Sequence, residues 1–212
     1  MKRKTSRRWR LLLLGAVVLL FWALCGEDTH ADESPLEVIR TTTKKALAVV
    51  DNSSSHNTDN PRVQRRKMWE VILPHFDQRA IAQRALGFHW QDLSEQQRAR
   101  FTQLFINLVK NSYSGTLDRY SKDAQFFFDS ERVEGDYAEV YTRIKTPTQP
   151  EALTVVYRLH RRNGQWLVYD VIAANVSMVR NYRNQFYRIL NRSSFDELIQ
   201  KLQDKLQALA RS

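Results

Sequence analysis

Apolar and polar positions alternate with a period of two from Leu153 to Ile172 and change to spacings of three and four after Asn175, which predicts a β-hairpin running into an amphipathic helix. Asn163-Gly164 links the two strand patterns, and a two-residue Asn-Gly link marks a tight hairpin because both positions must reach positive φ. Pairing outward from that turn sets Leu159 opposite Val168 and Tyr157 opposite Asp170. Leu153, Val155, Tyr157 and Leu159 are then expected on one apolar face with Trp166, Val168, Asp170 and Ile172. The opposite face, Thr154, Val156, Arg158 and His160 with Leu167, Tyr169 and Val171, is mixed. The helix carries Val176, Val179, Tyr182, Phe186, Ile189 and Leu190 on the side that folds back onto the sheet.

The same reading places further elements upstream. A helix begins at Ser34-Pro35 and is expected to end in the polar run Asp51 to Asn60. Pro61 suits the first turn of a second helix to Leu73, which Pro74 stops. Phe76-Asp77 opens a short helix, Gln78 to Leu86, closed by Gly87. Ser94-Glu95-Gln96-Gln97 is a capping box before a long helix whose stripe includes Phe101, Leu104, Phe105 and Leu108. Strands are expected over Ala124 to Asp129 and Ala138 to Lys145, with Pro147 and Pro150 bracketing a loop before the hairpin. Ser194 to Glu197 is a second capping box, opening a last helix through Leu206. Four consecutive strands among helices predict an α+β fold, an antiparallel meander with helices stacked on one side.

Composition changes the picture mainly at the N-terminus. MKRKTSRRWR, then the apolar run Leu11 to Leu24, then small residues near Ala31, reads as a secretory signal peptide over residues 1–31 and places residues 32–212 in an exported, periplasmic domain. The only cysteine, Cys25, falls inside that segment, and Leu24 before it is too bulky for a lipid-attachment signal. The expected mature chain has no cysteine and is held by its core alone. Formal net charge is +10, but six basic and two acidic residues precede the expected cut, leaving 27 basic against 21 acidic residues. This scattered surplus on an exported chain disfavours nucleic acid as a partner.

Candidate chemistry is sparse. His75 and His89 lie near Asp77, yet no metal-ligand spacing is present and no metal ligand is assigned. Ser177 lacks a nucleophile-elbow context, and no Gly-rich phosphate loop occurs. Asp170 beside Tyr157, with Tyr182 above, is the one arrangement with catalytic character, a carboxyl in an apolar setting acting as general base for an isomerase or hydrolase. A structural aspartate is the alternative, and no catalytic residue is assigned. The amount of apolar surface facing one way suits either a packed module or an open pocket, which periodicity does not separate.

Five stretches together resemble the MlaC family. They are Leu73-Pro74-His75-Phe76-Asp77, Ala85 to Trp90, Ser94 to Phe101, Trp166 to Val171 with Val176-Ser177-Met178, and Asn181-Tyr182-Arg183 with Phe186. The resemblance runs from about Leu36 to Leu206. It implies a nuclear transport factor 2-like fold, a curved antiparallel sheet and several helices enclosing an apolar cavity. It also implies a non-enzymatic periplasmic phospholipid shuttle, without cofactor, between an outer-membrane lipoprotein complex and an inner-membrane ABC transporter, maintaining outer-membrane asymmetry. A hopanoid or other apolar lipid would suit the same cavity. By position, Leu153 and Val176 match places where the family lines its cavity. Register and helical phase extend the expected lining to Leu104, Phe105, Leu108, Val140, Ile144, Val155, Tyr157, Leu159, Trp166, Val168 and Phe186. Asn175 stands where the family commonly has glycine.

Overall fold

The computed structural model describes residues 33–56, 60–121, 124–147 and 149–211. The expected signal segment, with Cys25, lies outside them. In chain order the elements are α1 (Pro35–His56), α2 (Pro61–Ile72), α3 (Gln78–Leu86), α4 (Glu95–Ser121), β1 (Gln125–Glu134), β2 (Tyr137–Thr146), β3 (Gln149–Arg162), β4 (Gln165–Ala173), β5 (Val176–Ser177), α5 (Met178–Leu190) and α6 (Phe195–Arg211). Short 3-10 turns follow α2 and α3.

Helix ends are set where the sequence places capping chemistry. Asn60 accepts from the Arg62 amide at 3.0 Å, and the Asp77 carboxylate accepts from the Ala80 amide at 2.8 Å. Ser94 and Gln97 form the reciprocal capping box, with the Ser94 amide donating to Gln97 Oε1 at 2.9 Å and the Gln97 amide to Ser94 Oγ at 3.3 Å. Gly87 ends α3 at φ +62°. α1 runs on to His56, beyond the expected stop, because Asp51–His56 contains neither glycine nor proline. Each such polar residue costs a helix only a few tenths of a kcal/mol.

The five strands form one antiparallel sheet in the order β1-β2-β3-β4-β5, a pure meander. The fifth strand arises because Ala174 and Asn175 both take positive φ, 47° and 65°, and turn Val176 back beside Ala173. Asparagine tolerates this region better than most residues, which fits Asn175 at a glycine-favouring position. The loop expected between Pro147 and Pro150 is shorter than that, since β3 begins at Gln149.

The predicted register holds next to the Asn163-Gly164 turn and then breaks. Leu159 pairs with Val168, but a bulge follows and Arg158, not Tyr157, pairs with Asp170. Tyr157 pairs with Val171 instead. One extra residue in β4 therefore transfers Asp170 and Ile172 off the apolar face and brings Val171 onto it. Register shifts also occur between Phe128 and Ser130 in the β1–β2 pair and between Ile144 and Thr146 in the β2–β3 pair. Bulged strands bend, so three irregularities in three successive pairings curl the sheet.

Packing divides into separate cores. Helices α3 to α6 bury an aromatic cluster in which Phe105 lies 4.9 Å from Tyr182, 5.2 Å from Phe186 and 5.5 Å from Phe101, ring centre to ring centre. A second cluster joins Val38 and Ile39 of α1 to Ala138, Val140, Leu159, Trp166 and Val168 of the sheet. A third, Ala46, Val50 and Met68, holds α1 to α2.

Two turn substitutions have opposite expected effects. Gly164 has φ +77° and open space around the position of a Cβ, so Gly164→Ala tests backbone strain alone and should lower stability by about 1 kcal/mol. Ala174→Gly relieves the same strain and should raise the urea midpoint with an unchanged m value.

An apolar cavity as candidate functional site

The curled sheet face is filled at one end and open at the other. The N-terminal part of α1 and Phe76 fill the end at Val140, Leu159, Trp166 and Val168. Toward the far ends of β2 and β3, a cavity of about 280 Å3 opens between the sheet, α1, α2 and α4. That volume is near the lower edge of ordinary small-molecule pockets, about 300–1,000 Å3. Ile39, Phe76, Tyr157 and Val171 belong both to the filled cluster and to the cavity wall, and so form the partition.

Of the thirteen side chains expected to line a cavity, Ile144, Leu153, Val155, Tyr157 and Val176 do line it. Leu104, Phe105, Leu108 and Phe186 do not, because they pack into or against the helical core, where Phe105 is 0% exposed. Val140, Leu159, Trp166 and Val168 lie on the predicted sheet face but beneath the start of α1, which fills the space over them. Val176 is 58% exposed and also lines the cavity, which puts it at the rim.

Residues not anticipated complete the wall. α1 and α2 contribute Thr42, Ala46, Leu47, Met68, Trp69 and Ile72. α4 contributes Ile106, Val109, Lys110 and Tyr113. The signal for the α4 group is in the sequence, since 106, 109, 110 and 113 are spaced i, i+3, i+4, i+7 and make a second stripe beside Phe101, Phe105 and Leu108. A helix with two such stripes separates two apolar volumes.

The Asp170–Tyr157 arrangement is not formed. Beyond the bulge, Asp170 is buried and its carboxylate accepts from Ser177 Oγ at 2.6 Å and from the amides of Val179 at 3.0 Å and Val171 at 2.9 Å. Ser177 Oγ in turn accepts from the Arg180 amide at 3.0 Å, so the pair caps α5 and anchors it to β4. Tyr157 stays on the cavity side, and burial pushes its hydroxyl up to about 12. It is a neutral side chain in an apolar wall.

Asp77, considered above beside His75 and His89, has other partners. It accepts from Arg162 Nη1 at 2.8 Å and from His160 Nε2 at 3.0 Å, besides the Ala80 amide. Its own amide donates to the Val168 carbonyl at 2.9 Å, next to a parallel bridge between Phe76 and Val168. Burial alone would raise this carboxyl, but the Ala80 amide, the Arg162 guanidinium and the His160 ring together hold it below its ordinary value.

These features define an α+β protein of the nuclear transport factor 2-like type, built around an apolar cavity between a curled meander and its covering helices. The chain belongs to the MlaC family, whose model, described as "MlaC protein", matches residues 40–204. It is 26% identical over 177 residues, 82% of either chain, to the intermembrane phospholipid transport system binding protein MlaC of Haemophilus influenzae. It is 23% identical over 191 residues, 90% of this chain and 85% of the other, to the toluene tolerance protein ttg2D of Pseudomonas putida. Among solved structures, a phospholipid-binding protein from Ralstonia solanacearum, determined with a phospholipid, superposes with a TM-score of 0.72 at 21% identity. That match covers 81% of this chain and 96% of the other and establishes the shared fold.

Two anchors have measurable consequences. Asp170→Asn replaces an acceptor oxygen by an amide donor facing buried donors and should cost about 2–3 kcal/mol in urea unfolding. For Asp77, a carboxyl held below its unfolded value adds stability that is present above about pH 4 and lost as the pH falls through the lower folded value. The urea midpoint of the wild type should therefore drop on the acid side of pH 4, and Asp77→Asn should flatten that decline while lowering the midpoint at neutral pH.

Proposed function

We infer that this protein is a non-catalytic carrier of phospholipid, exported to the periplasm, which holds acyl chains in the apolar cavity while moving lipid between an outer-membrane lipoprotein complex and an inner-membrane ABC transporter and so maintains outer-membrane asymmetry. The observation that carries this reading is the cavity wall, made mostly of aliphatic and aromatic side chains from sheet and helices alike. A relative named for intermembrane phospholipid transport and a neighbour of the same fold determined with phospholipid support it. The basic, apolar, small-residue order of the first 31 residues supports export.

The energetics favour enclosure. Each methylene removed from water is worth about 0.8 kcal/mol, so a chain of about 16 carbons represents roughly 12 kcal/mol that a lipid crossing water without cover would forfeit. Headgroup contacts alone do not offset that sum. Enclosure within an apolar wall does, and exchange remains reversible because no covalent step is involved.

Val176→Asp at the rim and Leu153→Glu within the wall place a charge against the chains at positions that are not fully buried. Native mass spectrometry of the periplasmic protein, purified without detergent, should find phospholipid on the wild type and a loss of at least tenfold in both variants, with unchanged far-ultraviolet circular dichroism. A wild type free of lipid in repeated preparations would overturn the carrier reading.

A further inference from the structure

The cavity wall carries one formally charged side chain among its described residues, Lys110, and no carboxylate. Lys110 is half-buried on α4; its carbonyl accepts from Ser114 Oγ at 2.6 Å, but its ammonium has no hydrogen bond or ion pair with any described side chain. Many other basic side chains are matched: Arg79 and Arg98 hold Glu95, Arg143 holds Asp129, Arg158 holds Glu139 and Arg162 holds Asp77. An ammonium set partly into an apolar wall has lost some of its water, and only an acceptor, best an anionic one, restores what it lost. The wall supplies no carboxylate; its other polar groups are the hydroxyls of Thr42, Thr43, Tyr113 and Tyr157, the Trp69 indole and the His75 ring.

Tyr113 stands three residues further along α4 and lines the same cavity. Residues at i and i+3 are neighbours on a helix surface, so Lys110 and Tyr113 stand side by side on the part of α4 that lines the cavity. Burial, with the nearby Tyr182 and Asp170, raises the Tyr113 hydroxyl above its ordinary value and keeps it a donor. Two donors at neighbouring positions of α4, on a largely apolar wall that carries no carboxylate, make a receptor for an oxyanion.

We propose that Lys110 and Tyr113 form an anion subsite that takes the phosphate of the bound lipid, fixing the headgroup end at α4 while the acyl chains lie against the apolar remainder of the wall. This rests on the carrier reading. It assigns the cavity a polarity, with one end recognising a phosphate ester and the rest hydrocarbon. Lysine suits the role as a compact point charge that makes no demand on headgroup shape, so the subsite selects for phosphate and not for what is esterified to it.

The test compares two ligands with identical chains, dioleoylphosphatidylglycerol and dioleoylglycerol, binding to delipidated protein. Wild type should prefer the phospholipid by about tenfold or more, the range of one charge-assisted contact. Lys110→Met keeps the apolar stem and should abolish most of that preference, read as the ratio of the two affinities; Tyr113→Phe should reduce it in part, and Lys110→Arg should retain it. A preference undiminished in Lys110→Met overturns the subsite while leaving the carrier intact. Failure of the wild type to bind either lipid overturns the carrier reading and the subsite with it. Inorganic phosphate titrated alone separates the remaining source of the same anion: binding at micromolar concentration that depends on Lys110 would assign the site to free phosphate and overturn the headgroup placement.

Discussion

The joint at Asp77 holds the helical layer to the sheet. Its amide is tied to the Val168 carbonyl, and its carboxylate joins the first turn of α3 to His160 and Arg162. This one side chain therefore caps a helix, bridges two layers and neutralises a guanidinium, all while buried. A buried carboxylate is tolerated only when so supplied with donors, and removing any one of them leaves a charge exposed to a low-dielectric interior. With the joint closed, Phe76 is held over the sheet, where it forms part of the partition at the cavity floor.

From that partition the two ends of the sheet take different roles. Beneath α1 the side chains interlock and the space is filled. Toward Ile144 and Leu153 the strands curl away, and α1, α2 and α4 cover the gap without filling it. The helical core of α3 to α6 borders the cavity along α4: Ile81, Ile106, Val109 and Met178 belong to both, while Phe101, Phe105 and Phe186 lie away from the open volume. The α1–α2 pair is held by a small core of its own. Phe101, Phe105 and Phe186 serve packing alone, whereas Ala46, Met68, Ile106 and Val109 serve both packing and the cavity wall.

This division explains what was legible in the sequence. Caps, turns and helix ends depend on a few adjacent residues, and Ser94 with Gln97, Asp77, Gly87 and Asn163-Gly164 all take the roles their chemistry predicts. The order of the strands followed as well. The bulge in β4 did not, because nothing in the run Val168 to Ile172 distinguishes a regular strand from one with an inserted residue. Its consequence reached the candidate site, since Asp170 and Tyr157 were placed together by a register that ends one pair too soon. The cavity was only half legible for a related reason. An alternating strand shows which side chains share a face but not how far another element reaches across it, so Val140, Leu159, Trp166 and Val168 read the same as Ile144, Leu153 and Val155. The second stripe of α4 was readable in its spacing, but the stronger aromatic stripe beside it masked it.

The inserted residue of β4 has a further effect, best put in terms of parity. Before it, even-numbered Trp166 and Val168 face the filled end; after it, odd-numbered Val171 and Ala173 face the cavity, while even-numbered Asp170 is released to anchor the helix behind. A single strand thus serves three surfaces by changing phase once. Trp166 and Val168 serve packing, Asp170 anchorage, and Val171 and Ala173 the cavity wall, three roles within nine consecutive residues.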